Sequence, residues 1–142
     1  MRKLLVPFDG SANALRALRY AISIAQQNVP VEIHVVAAHD EPDIYGEIAV
    51  YVTRDKMADL QRQISEARLV SAEQVLKQAA VPYEREILIG NIAEVIARRA
   101  DELGCDGIVM GTRGLTAIGS LVMGSIATKI VHAANVPVTL VK

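Results

Sequence analysis

Short apolar blocks alternate with longer amphipathic segments along the chain. Apolar blocks cover Leu4–Phe8, Val31–Ala38 and Gly107–Met110, and an alternating block covers Tyr83–Ile89. Each is shorter than a typical helix and is bounded by glycine or polar residues, so the pattern predicts four strands. The block Val136–Val141 predicts a fifth strand at the end of the chain.

Between the strands, apolar residues recur three or four positions apart, as they do in amphipathic helices. Ser11 and Asn91 stand where helix N-caps are expected, and Gly104 is placed as a C-terminal stop. In the long second helix the spacing is marked by Met57, Leu60, Ile64 and Ala67 and continues with Val75, Leu76 and Ala79. The predicted helices cover Leu15–Val29, Asp55–Ala80, Ile92–Leu103 and Ser125–Ala134.

The alternation of strands and helices predicts a single α/β domain over residues 1–142, a doubly wound parallel sheet of five strands with helices on both faces. Two strand orders are common for such sheets, 2-1-3-4-5 and 3-2-1-4-5. We favour 3-2-1-4-5 because it sets Pro7, Phe8 and Asp9 beside Met110 and Gly111. Ligands of open α/β sheets bind in the crevice at such a position.

Composition narrows the function classes further. The chain of 142 residues has a net charge of −1, which gives no reason to expect nucleic acid or an anionic membrane surface. Its lone cysteine, Cys105, excludes an internal disulfide, and the run Leu4–Phe8 is too short for a signal-peptide core or a membrane span. A cytoplasmic protein without a membrane segment is expected.

The stretch from Gly111 to Ser125 reads GTRGLTAIGSLVMGS and links the fourth strand to the last helix. Its glycines Gly111, Gly114 and Gly124 let backbone N–H groups approach an anion closely. Ser125 opens a helix whose N-terminus favours negative charge. This stretch therefore predicts a phosphate site.

Asp9, at the end of the first strand, would meet that stretch in the favoured strand order. A carboxylate that accepts hydrogen bonds from ribose hydroxyls, together with a bed of N–H donors for phosphates, suits a nucleotide. Alone, Asp9 is better explained as a turn residue before the helix. Beside the glycine stretch, the binding role is favoured.

Several other phosphate-binding classes lack their defining residues here. The lysine of a P-loop is missing after Gly124, and no G-x-G-x-x-G follows the first strand, where Asp9-Gly10-Ser11-Ala12 stands. A phospho-receiver is disfavoured because the third strand ends in Leu88-Ile89-Gly90 without an aspartate. The site loops also lack an aromatic pair for stacking a flavin.

The spacing of Gly111, Gly114 and Gly124-Ser125 resembles the ATP-binding signature of the universal stress protein family. Other segments are similar to the family's strands and turns throughout the chain. They are Val6-Pro7-Phe8-Asp9-Gly10-Ser11, Ile33-His34-Val35-Val36, Gly90-Asn91-Ile92, Ile108-Val109-Met110-Gly111 and Asn135-Val136-Pro137-Val138. The resemblance implies a 3-2-1-4-5 sheet, ATP binding and a dimer through the last strand.

Carried over by position, the resemblance assigns three groups of contacts. Asp9 would contact the ribose, and Pro7, Phe8, Val35 and Met110 would surround the adenine. Gly111, Gly114, Gly124, Ser125 and Ile126 would hold the ribose and the phosphates. Phe8 departs from the small or hydroxylated residue that the family often has there, and its bulk would tighten or crowd the base pocket.

The remaining candidates for chemistry are few. Arg113 is either a phosphate contact or a solvated loop arginine. His39, Asp40, Glu41 and Asp43 form either a Mg²⁺ site near the phosphates or a hydrated acidic turn. His34 and Cys105 are expected to pack in the core, and His132 has no evident partner, so no catalytic residue and no protein metal site are assigned.

Two function hypotheses follow. The first is a nucleotide-dependent switch in stress response or signalling that binds ATP, ADP or AMP, with or without Mg²⁺, and needs no enzyme activity. The second is a slow ATPase or adenylate-transferring enzyme that uses the same cleft. In either case the apolar edge strand Val136–Val141 favours a homodimer, because pairing between subunits would cover it.

Overall fold

The computed structural model describes residues 2–27, 29–41, 53–113 and 123–142. These residues form five strands and four helices. In chain order they are β1 (Arg2–Pro7), α1 (Ala12–Ala25), β2 (Val31–His39), α2 (Arg54–Ala79), β3 (Tyr83–Ile89), α3 (Ile92–Glu102), β4 (Gly107–Gly111), α4 (Ser125–Ala133) and β5 (Val138–Val141).

The five strands form one parallel sheet in the order β3-β2-β1-β4-β5. The predicted fold class and the predicted strand order are therefore confirmed. Strand β1 lies at the centre, and its neighbour β4 pairs with it in a register that places Leu4 opposite Gly107. Extending this register sets Phe8 level with Gly111 at the carboxyl ends of the strands.

Two apolar layers sandwich the sheet. Helices α1 and α2 pack on one face around residues such as Val6 and Leu69, and α3 and α4 pack on the other around residues such as Leu5 and Ile130. Successive β1 residues enter opposite layers because strand side chains alternate. The sheet is covered on both sides, as its apolar strands predict.

Local capping signals were correctly placed. The Oγ of Ser11 accepts a hydrogen bond from the Ala14 N–H (3.0 Å), and Asn91 Oδ1 accepts one from the Glu94 N–H (3.2 Å). Gly104 has a φ of 63° just after α3, a conformation that favours glycine.

The clearest differences from the predictions are two element boundaries and one buried face. Helix α1 ends at Ala25, before the predicted end at Val29, and Val29 is exposed. Strand β5 begins at Val138, two residues after the predicted start. In α2 the buried stripe is Ser65, Leu69, Ala72 and Leu76, so Leu60 and Ile64 are exposed.

Candidate functional site

The crevice lies where β1 and β4 end side by side and the chain leaves them toward opposite faces of the sheet. From β1 it passes to α1 on one face, and from β4 it passes to α4 on the other. This is the topological switch point, the usual ligand position in open α/β sheets. The adjacency that the sequence predicted for the ends of β1 and β4 is present.

Asp9 shapes the turn between β1 and α1. Its Oδ1 accepts a hydrogen bond from the Ser11 N–H (2.9 Å), and Gly10 between them has a φ of 83°. Among the described residues no donor reaches the second carboxylate oxygen, Oδ2. Asp9 is half-buried. Its Oδ1 stabilises the turn, and its Oδ2 can accept a hydrogen bond from a ligand hydroxyl.

Asn13, in the first turn of α1, packs against the end of β4. A Cβ placed on Gly111 would collide with Oδ1 of Asn13 and would lie 2.9 Å from its Cγ, so position 111 requires glycine. The same Oδ1 accepts a hydrogen bond from the Arg113 N–H (3.1 Å). Glycine at position 111 thus serves a close contact between helix and strand.

The N-terminus of α4 is anchored beside β4. The Gly124 N–H donates to the Thr112 carbonyl (2.6 Å), and the Thr112 N–H donates to the Val141 carbonyl (3.0 Å). Gly124 is the N-cap without a side-chain hydrogen bond, and α4 begins at Ser125 as predicted. Ser125 and Ile126 are exposed, so the first turn of α4 is accessible from the crevice.

The side chains predicted to surround adenine are not gathered into one open surface. Val35 (0% exposed) and Phe8 (4%) lie in the core layer beneath α1 and α2, whereas Met110 (6%) lies in the opposite layer. Pro7 is half-buried at the end of β1. Phe8 and Val35 therefore fill core volume, and of these four predicted side chains only Pro7 is more than slightly exposed.

A cationic side chain that the sequence did not single out lies near the crevice. The Cγ of Arg68, on α2, lies 3.6 Å from the position of a Cβ on Gly10. No carboxylate among the described residues lies within salt-bridge distance of Arg68. Neither residue spacing nor composition distinguishes Arg68 from the other charged residues of this long helix.

His39 ends β2 close to this cation. Burial lowers the pKa of His39, and the positive charges of Arg62 and Arg68 lower it further against the opposing effect of Asp40. Its Nδ1 is hydrogen-bonded to the buried hydroxyl of Ser65 (2.8 Å). This contact ties the end of β2 to α2.

Other predicted candidates are distributed as follows. His34 is buried, and its Nε2 lies 2.9 Å from Oε2 of Glu86. Cys105 is buried in the apolar layer beneath α3 and α4, and burial raises the pKa of its thiol. Both are core residues, as predicted. Gly114 and Asp43 lie outside the described residues.

Within the described ranges, no three His, Cys, Asp or Glu side chains cluster as metal ligands would. The helices of those ranges also include none with the length and apolar character needed to cross a bilayer.

The family model of the universal stress protein family matches residues 1–142, and the chain belongs to this family. A universal stress protein of Thermus aquaticus is 37% identical over 142 residues, which span 99% of this chain and 98% of that protein. The solved structure of MJ0577 from Methanocaldococcus jannaschii superposes with a TM-score of 0.84 at 24% identity, covering 99% of this chain and 95% of that chain.

Some structural neighbours contain adenine nucleotides. A universal stress protein from Archaeoglobus fulgidus in complex with dAMP superposes with a TM-score of 0.69 at 24% identity, over 100% of this chain and 98% of that chain. A family member from Arabidopsis thaliana with AMP bound superposes with a TM-score of 0.71 at 18% identity. The superposition covers 100% of this chain and 92% of that chain. A third neighbour, a universal stress protein in complex with cAMP, superposes with a TM-score of 0.72 at 23% identity. The superposition covers 99% of this chain and 97% of that chain. At these identities the likeness establishes the shared fold.

Proposed function

We propose that this protein binds an adenine nucleotide, ATP or its products ADP and AMP, in the crevice between β1 and β4. Occupancy would act as a switch in a stress response or in signalling. The proposal includes a homodimer in the cytoplasm. Family membership and the nucleotide complexes of structural neighbours support the ligand class.

The observation that carries the proposal is that two helix N-termini lie beside the end of β4. Helix α1 is tied to the end of β4 by the Asn13–Arg113 hydrogen bond, and α4 is tied there by the Gly124–Thr112 hydrogen bond. Their free N–H groups and positive dipole ends favour a phosphate. Asp9, with Oδ2 available, is the acceptor suited to ribose hydroxyls.

The other contacts follow from the same arrangement. The first turn of α4, with Gly124, Ser125 and Ile126, would hold phosphates, and Gly111 would let the ligand approach the backbone. Pro7, Phe8, Val35 and Met110 would border the base, and Arg113 and Gly114 would complete the phosphate loop. Any Mg²⁺ would be held largely by phosphate oxygens and water, as is common for this ion with nucleotides.

A direct test is to denature the purified protein and identify released small molecules by mass spectrometry. The stripped protein is then titrated with ATP, AMP and GTP, with and without Mg²⁺, by calorimetry. We expect adenine nucleotide to be released, or to bind more tightly than GTP. No release together with no binding would refute the proposal.

The variant Gly124→Val probes the phosphate end of the crevice. The backbone of Gly124 has φ −60° and ψ 155°, which valine also adopts, so the fold should persist. The added side chain would occupy the N-terminus of α4, and we expect at least a tenfold loss of ATP affinity. If the folded variant binds ATP with wild-type affinity, the phosphates bind elsewhere. If the wild type hydrolyses ATP slowly and the variant does not, the hydrolysis takes place in the same crevice.

A further inference from the structure

Asn13 holds its carboxamide inside the protein at the crevice. The residue is 6% exposed, and its side chain lies between the first turn of α1 and the end of β4. Such a buried polar group is expected to have partners for both its oxygen and its nitrogen. Among the residues that the structure describes, only the oxygen has a partner.

The orientation of the carboxamide is determined by its neighbour. The Arg113 N–H can only donate, so the acceptor Oδ1 must face it, at 3.1 Å. The nitrogen Nδ2 therefore points away from that contact. Nδ2 is buried and has no hydrogen-bond partner among the described residues.

The position of Asn13 in the fold indicates which kind of acceptor would satisfy Nδ2. A donor at the first turn of α1, beside the positive end of the helix dipole, is suited to an anionic oxygen acceptor. Asp9 already serves as the carboxylate suited to ribose, and Gly111 and Arg113 begin the loop proposed to hold phosphates. A phosphate oxygen is the acceptor that matches both the charge and the position.

We infer that Asn13 is a nucleotide-binding residue with two functions. Its Oδ1 positions the start of the phosphate loop through the Arg113 N–H, and its Nδ2 donates a hydrogen bond to a phosphate oxygen of the ligand. This inference rests on the proposed nucleotide function and adds a residue outside the glycine-rich signature.

The variant Asn13→Asp separates the two functions. Aspartate has nearly the same shape and keeps an acceptor for the Arg113 N–H, but it replaces the donor with a charged acceptor. The matched control is Asn91→Asp, which adds the same charge at the N-cap of α3, where Asn91 Oδ1 accepts from the Glu94 N–H. Both sites lie in helix N-terminal turns, where a negative charge is favoured, but Asn13 is buried and Asn91 is exposed, so Asn13→Asp also carries a cost of burial.

Affinities for AMP and adenosine are measured for the wild type and both variants. We expect Asn13→Asp to weaken AMP binding at least tenfold and to change adenosine binding less than threefold, while Asn91→Asp leaves both unchanged. Equal losses for AMP and adenosine, or AMP affinity within twofold of wild type, would overturn the inference. A wild type that binds neither of these ligands and also fails to bind ATP would instead refute the proposed function.

A measurement on the wild type guards against a variant that fails to fold. The side-chain amide resonances of Asn13 are assigned by nuclear magnetic resonance and followed during titration with AMP and with adenosine. AMP should shift the Nδ2 proton resonances downfield, and adenosine should not. Resonances that stay in place while AMP binds would contradict the inference.

Discussion

At the scale of single residues, Gly111 has one role that the structure shows and one that the proposed function adds. Its missing side chain lets Asn13 pack against β4, and in the proposed function it also lets a ligand approach the backbone. The pattern of glycines suggested the second role. The first depends on a contact that only the folded chain brings about.

The substitution Gly111→Ala should therefore lower stability and nucleotide affinity together. The added methyl would collide with the Asn13 carboxamide, and overpacking of this kind costs about 1–3 kcal/mol. Urea unfolding and AMP titration measure the two effects.

The control for this substitution is Gly104→Ala. The backbone of Gly104 has a φ of 63°, and alanine in this conformation lowers the free energy of unfolding by about 1 kcal/mol. No heavy atom lies within 4 Å of the added Cβ. Gly104→Ala should be destabilised with unchanged AMP affinity. If Gly111→Ala behaves in the same way, Gly111 has only a packing role.

At the scale of secondary structure elements, Glu86 joins β2, β3 and α3. Its Oε2 accepts hydrogen bonds from Nε2 of His34 (2.9 Å) and from Nε of Arg99 (2.8 Å). Burial disfavours the ionised carboxylate, but these two donors outweigh burial and lower the pKa of Glu86. Ionised Glu86 therefore stabilises the folded state.

The sign of the pH dependence follows from that lowered pKa. The stabilisation is fully present above the pKa of an unfolded glutamate, about 4.3, and is lost as the pH falls through the lower folded-state pKa. Glu86→Gln should be less stable than wild type at pH 7 and should lose less stability between pH 5 and pH 3. Urea unfolding at several pH values measures this difference.

The neighbouring substitution Glu84→Gln is the matched control for the pH series. Glu84 is exposed on the same strand and forms no ion pair with any residue that the structure describes. Its variant should follow the wild-type pH profile. A Glu86→Gln profile parallel to wild type would show that the network does not stabilise the fold.

At the scale of the whole molecule, β5 is the edge of the sheet next to β4. The Pro137 carbonyl accepts from Ile108 of β4, and the Val141 carbonyl accepts from Thr112 directly after β4. By the alternation of the strand, backbone groups of Val138 and Leu140 therefore point outward. These outward groups are available for pairing with a second copy of the chain.

Removing one outward donor should weaken the proposed dimer. Val138→Pro deletes an outward N–H without touching the hydrogen bonds to β4, whereas the control Val138→Thr keeps it. We expect the proline variant to dissociate at concentrations at which wild type and control remain dimeric in analytical ultracentrifugation. A monomeric wild type at micromolar concentration would refute the dimer.

Much of the architecture could be predicted because its signals are local. Ser11, Asn91 and Gly104 mark helix ends through contacts within a few residues, and apolar blocks mark buried strands. The boundaries near Pro30 and Pro137 were predicted wrongly. The buried stripe of α2 was predicted in part, since it includes the predicted Leu76 but also Ser65, Leu69 and Ala72, and a buried serine gives no apolar signal.

The candidate site was predictable only in part. Asp9, Gly111, Gly124 and Ser125 stand in recognisable turns, strand ends or helix starts, so their positions followed from the chain itself. Asn13 and Arg68 gave no comparable signal, since each acquires its neighbour only when distant elements pack. The burial of Phe8 and Val35 likewise depends on which helices cover each face of the sheet.

Local sequence thus specified the alternation of strands and helices and the caps, and it indicated the glycine-rich stretch proposed to hold phosphates, because hydrophobic periodicity and turn chemistry act over short distances. Folding added the contacts between separate segments. The hydrogen bond between Asn13 and Arg113 joins residues 100 positions apart, and the collision that requires glycine at position 111 exists only across that contact. No short-range pattern encodes such a pair, because its geometry depends on the docking of α1 against β4.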